Sequence, residues 1–165
     1  MEAGWYRAYR GMEALLSMKV PWQSPMVILG FTNALRGTLP RVTNTFGCND
    51  LKLAPSGHTA REIAAAAVRN ARAAIAGLEN RFVALDIGPS GKLLKPLGDL
   101  DFEAAVELFA ETVRGGTAEG ADLILVETMS DAYELKAAVL AAKENSILPI
   151  VATVTLDSKG KLLTG

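Results

Sequence analysis

Three apolar runs that end in polar clusters constrain this chain more than any other feature. They are Arg81-Phe-Val-Ala-Leu-Asp86, Asp122-Leu-Ile-Leu-Val-Glu127 and Pro149-Ile-Val-Ala-Thr-Val-Thr155. Strands that are apolar on both faces are typical of parallel sheets covered by helices. Helical patterns lie between the runs. Thr59 and Glu62 have the spacing of a capping box, after which Ile63, Ala67, Ala71 and Ala74 share one face until Gly77. Asp101 is placed to cap a helix whose stripe is Phe102, Val106, Phe109 and Val113. Asp131 and Glu134 form a further box before Leu135, Ala138, Val139 and Ala142. Gly115 and Gly116 weaken the end of the second helix, each by roughly 1 kcal/mol relative to alanine if interior. The alternation predicts a parallel α/β fold from about Val42 onward.

Residues 1–41 carry no such pattern. Pro21, Pro25 and Pro40 interrupt them, the one strand-like run is Met26–Leu29, and Gly11–Met18 could form a short helix. They are expected to be a divergent or poorly ordered segment, separate from the unit at 42–165. The N-terminus has no apolar targeting core, and the longest apolar run, Ile147–Val154, is far below the ~20 residues of a membrane span. A net charge of −1 gives no reason to expect nucleic acid or an acidic membrane as partner. A single cysteine, Cys48, excludes an intrachain disulfide and a multi-cysteine zinc site, and fits a cytoplasmic setting.

In parallel β/α folds the ligand face is built from the C-terminal strand ends and the loops after them. That rule directs Asn44, Asp86, Glu127 and Thr155 toward one mouth. Ser130 and Asp131 read more simply as cap and turn residues. Glu127 reads as functional, because a carboxylate closing a buried strand is costly without a partner. Gly88-Pro-Ser-Gly-Lys92 imitates part of a phosphate loop, but Asp86 and Leu93 stand where glycine and Ser or Thr are needed. His58 has no second ligand near it in sequence and is expected to lie exposed before a helix.

Four motifs occur in order: Thr43-Asn-Thr-Phe-Gly47, Ile87-Gly-Pro-Ser-Gly-Lys-Leu93 with Pro96-Leu-Gly-Asp99, Leu123-Ile-Leu-Val-Glu-Thr-Met-Ser-Asp131, and Thr153-Val-Thr-Leu-Asp157 before Leu163-Thr-Gly165. Together they resemble the homocysteine-binding domain of the homocysteine S-methyltransferase family. The resemblance implies a partial parallel (β/α)8 TIM-type barrel of about four to five β/α units, since a whole barrel takes about 250 residues. It also implies methyl transfer to the homocysteine thiol, in the service of methionine synthesis, with cobalamin or folate among the family's methyl donors. In the family a zinc ion on three cysteine thiolates turns that thiol, with an ordinary pKa of about 8.5, into a thiolate. By the same resemblance Glu127 receives the amino group of homocysteine. Asn44, Thr45 and Phe46 then belong to the second strand end, Asp86 and Gly88 to the third, and Thr153 and Thr155 to the fifth.

The departures are specific. The zinc cysteines are absent, and Cys48 matches none of them. Arg36-Gly-Thr-Leu-Pro-Arg41 replaces the family's approach to the second strand. The expectation is an incomplete piece of the barrel, inactive in methyl transfer by itself. One alternative is a non-catalytic half-barrel that associates with itself or a complementary fragment through open edges at Val42–Asn44 and Ile150–Thr155. Another is a small flavodoxin-like nucleotide binder.

Overall fold

The computed structural model describes residues 26–29 and 40–164. Strands β2 (Pro40–Val42), β3 (Phe82–Ile87), β4 (Leu123–Met129) and β5 (Ile150–Thr155) form a parallel sheet in that order. Strand β1 (Met26–Leu29) adds to β5 antiparallel. The helices are α1 (Asp50–Leu53), α2 (Ala60–Ala74), α3 (Phe102–Ala118) and α4 (Ala132–Asn145).

From β2 to β5 each connection moves one strand further across the sheet in the same direction. Right-handed crossovers then place every connecting helix on one face. The packing agrees, with α2 against α3 and α3 against α4. Because the order from β2 to β5 never reverses, the parallel sheet has no switch-point crevice of the doubly wound kind, and the flavodoxin-like alternative loses its basis.

The two faces of the sheet bury different things. Val83, Leu85, Ile87, Ile124, Val126, Ala152 and Val154 pack under the helices. Ala84, Leu123 and Val151 pack on the opposite face with Val42, Phe82 and Leu125. The apolar runs are therefore apolar on both sides for the reason read from sequence.

The helix faces differ in part from expectation. In α2 the buried row is Ala60, Ala64, Val68 and Ala71, one step round from the Ile63–Ala67–Ala74 row. Alanine is abundant on both rows, so periodicity could not choose between them; Val68, fully buried, marks the real one. The Thr59–Glu62 capping box is complete on both sides. The Asp131–Glu134 box is not. Asp131 caps Tyr133 N, whereas the Glu134 carboxylate accepts from the backbone and hydroxyl of Ser90. Asp101 occupies its cap position without a side-chain cap bond and pairs with Lys95 instead.

One edge also differs. Met26–Leu29 covers β5, so the open edge expected at Ile150–Thr155 is filled; a short antiparallel strand satisfies the ladder groups that an edge leaves bare. Among the described residues no strand pairs with the outer side of β2. The helix expected over Gly11–Met18 lies outside the described residues. Among those described, no helix is long and apolar enough to cross a membrane.

Candidate functional site

The face opposite the helices changes character along the strands. Ala84 gives way to Asp86 on β3, Leu125 to Glu127 on β4, and Val151 to Thr153 and Thr155 on β5. Helix-facing neighbours Leu85, Ile87, Val126, Ala152 and Val154 alternate with these residues, which fixes the polar set on the other side. The polar end is the C-terminal end of every parallel strand, where β/α folds place their ligands.

Asp86 and Glu127 meet there. Asp86 pairs in register with Leu125, and Glu127 follows two residues later on the adjacent strand. Asp86 is 3% exposed, and its Oδ1 is buried without a hydrogen-bond partner among the described residues. Glu127 is half-buried. Burial pushes the Asp86 carboxyl up to about 8, and the negative charge of Glu127 and a hydrogen bond shared with it act in the same direction. From sequence, Glu127 was the carboxylate expected to be costly; the structure puts the deeper burial on Asp86.

A bulge aims this part of β4. Val126 pairs with Ala152 but Met129 pairs with Val154, so β4 carries one extra residue. Thr128 occupies it at φ 56°, a left-handed conformation that is uncommon for a β-branched residue. Its amide is held by Thr153 Oγ1 at 2.8 Å. Strain at strand ends of this kind clusters at functional sites, at a cost of order 1–3 kcal/mol. Nothing in the one-letter sequence marks the bulge.

The other expected site residues divide. Thr45 is fully buried and donates to the Asp86 carbonyl at 2.7 Å; Thr43 Oγ1 accepts from Asp86 N at 3.0 Å. Both threonines position Asp86 from the segment after β2 rather than offering free hydroxyls. Thr153 likewise spends its hydroxyl on Thr128, and Thr155 stands half-buried at the end of β5. Phe46 is exposed, and its carbonyl and ring press on Gly88 so closely that a Cβ there would lie 2.4 Å from the oxygen. Gly88 thus serves close approach, and the loop after β3 is held further by Lys52 Nζ on the Pro89 carbonyl and by Glu134 on Ser90. Asn44 is exposed and lines a cleft of about 380 Å³ with Arg41, Thr43, Ile63, Ala67 and Asn70.

Metal chemistry of the three-thiolate kind does not fit these residues. Among the described residues no group of three or more His, Cys, Asp or Glu side chains could hold a metal ion. Cys48 is buried, its Sγ donates to the Ala60 carbonyl, and burial pushes its thiol up to about 11, the reverse of what a ligating or nucleophilic cysteine needs. His58 is exposed beside Glu62.

The Asp86 shift sets a pH dependence. An unfolded aspartate titrates near 3.9. Between about pH 4 and pH 8 the folded chain therefore keeps a proton that the unfolded chain has lost. The contribution of this group is fully present below about pH 4 and is lost as pH rises through about 8. Asp86→Asn is expected to flatten that loss by about 1 kcal/mol or more between pH 5 and pH 8. Urea unfolding of both chains at pH 5, 7 and 9 checks it; parallel curves would contradict it.

Residues 41–165 match the family model described as homocysteine S-methyltransferase. The chain is similar to the methionine synthase of Mycobacterium tuberculosis (strain ATCC 25618 / H37Rv), with 32% identity over 134 residues, covering 74% of this chain and 11% of that protein. It is also similar to the methionine synthase of Mycobacterium leprae (strain TN), with 30% identity over 134 residues and the same coverage. The chain thus spans 11% of the length of these curated relatives.

Proposed function

The chain belongs to the homocysteine S-methyltransferase family, and on that premise we propose that its carboxyl face binds the amino-acid end of homocysteine. The observation that carries this reading is the Asp86–Glu127 pair, an unpartnered buried acceptor beside a second carboxyl at the strand ends. An ammonium group has three N–H donors and a positive charge, the two things this place lacks. The four parallel strands are then one arc of a β/α barrel, whose lumen is the face free of helices. Zinc, which in the family supplies the thiolate, has no fitting donor set in these residues. Their part in methyl transfer is to bind and orient, and the pure chain is expected not to methylate homocysteine unaided.

The ammonium is the discriminating group. Homocysteine and L-methionine are expected to bind the chain, and the analogue of methionine with hydroxyl in place of amino to bind at least about tenfold more weakly, as for loss of a charge-assisted hydrogen bond. Calorimetric titration of each measures this. Equal binding of amino and hydroxy compounds would remove the reading. A second reading, association through an edge, is favoured by the uncovered side of β2 among the described residues. Light scattering showing a monomer at high concentration would remove it.

A further inference from the structure

We propose that Asp86 and Glu127 form one acid unit that holds a single proton while no ligand is bound and releases it to solvent when a primary ammonium group takes its place. This rests on the reading of the carboxyl face as the amino-acid end of the pocket, and adds to it a regulation by pH.

The geometry leads there in three steps. The carboxyls come from adjacent parallel strands onto one face, two residues apart in register, with Glu127 near enough to act on Asp86 by charge and hydrogen bond. Two full negative charges that close in a poorly solvated place repel strongly, and one shared proton removes the repulsion. Asp86 Oδ1 is buried and has no hydrogen-bond donor among the described residues, which leaves an acceptor open to a ligand.

Among the described residues the surroundings supply no cation in its place. From the segment after β2 come Thr43 and Thr45, both neutral and both engaged with the β3 backbone. From β5 come Thr153, whose hydroxyl holds Thr128, and Thr155. The loop from β4 into α4 brings Asp131, which caps Tyr133 N, and α4 brings Glu134, which is bound by Ser90. Lys92 pairs with Asp99, and Lys52 donates to the Pro89 carbonyl. Among the described residues the only charged group that acts on Asp86 is Glu127. Neutralisation therefore falls to a proton or to a ligand. The exchange balances: one proton leaves the pair to solvent as one R–NH₃⁺ arrives, and the net charge of the site stays the same.

The test is a carbon-detected NMR titration of side-chain carboxyls in the full chain, ligand-free and with two probes. L-Methionine is the first, chosen because it has no thiol proton to confuse the count; methylammonium chloride is the second. Without ligand, the Asp86 signal should report an upper step well above the ordinary carboxylate range. Glu127→Gln should lower the remaining Asp86 step. Methionine should depress the upper step, and calorimetry at pH 6 in two buffers of different ionisation enthalpy should count about one proton released per molecule bound. Asp86 titrating in the ordinary range would overturn the proposal. An upper step that neither probe moves would overturn it too. A chain that ignores methionine while methylammonium depresses the upper step keeps the proton exchange and overturns the homocysteine reading.

Discussion

Glu127→Gln is expected to weaken binding of homocysteine or L-methionine by roughly thirtyfold or more, about 2 kcal/mol, while leaving the fold at least as stable as before. The loss follows from removing the charge opposite an ammonium in a partly desolvated place, where truncating one member of a charge pair typically costs 2–5 kcal/mol. The gain in stability follows from the same geometry. With Glu127 neutral, Asp86 no longer faces a like charge, and one cause of its raised pKa is gone. Opposite signs in binding and stability distinguish a site residue from a structural one, since sites are commonly kept at some cost to the fold. Calorimetry and urea unfolding on the same preparation measure both. Binding unchanged, or binding and stability falling together, would assign Glu127 a packing role instead.

Gly115→Ala is expected to destabilise the chain by about 2 kcal/mol or more, lowering Tm by roughly 4–8 °C for a chain of this size. Helix propensity alone predicts the opposite sign, a gain near 1 kcal/mol for replacing a glycine inside a helix. The structure decides between them. Gly115 is buried within α3, and a Cβ there would lie 2.3 Å from the Arg61 carbonyl oxygen and 2.9 Å from Arg61 C and Cα. All three atoms are backbone of α2, so no side chain can swing aside and the two helices must part. Gly116 differs, because its crowding comes from the Leu85 side chain, at 2.5 Å from Cδ2. Gly116→Ala should therefore cost less than Gly115→Ala. Scanning calorimetry ranks the two, and a stabilised Gly115→Ala chain would refute the close helix approach.

The contrast at Gly115 shows where a sequence is legible and where it is not. The sequence reads these glycines as a weak helix end, because propensity is local. Their use as the contact point between α2 and α3 is a tertiary fact. Strand identity was legible for a converse reason. Runs apolar on both faces have few homes besides a covered parallel sheet, and all three runs are strands. The pairing of Asp86 with Glu127 was also within reach. Each closes a four-residue apolar stretch on neighbouring parallel strands, and the two-residue offset in register keeps both on one face. What hid was the division of labour. Thr45 and Thr153 look like ligands in a one-dimensional motif, but their hydroxyls are engaged within the protein, one on the Asp86 carbonyl and one on the Thr128 amide. Glu134 looks like half of a capping box, but a buried serine from another loop outcompetes the cap. Such choices depend on which partner lies nearer in space, and residue spacing along the chain does not encode that.

The most direct test is to locate the amino group of bound L-methionine, by crystallography of the complex or by intermolecular NMR contacts. The expected position is between the Asp86 and Glu127 carboxyls, beside the Thr128 bulge. An amino acid seated elsewhere, such as the cleft of Arg41, Asn44 and Asn70, with the two carboxyls untouched, would contradict the assignment of this face.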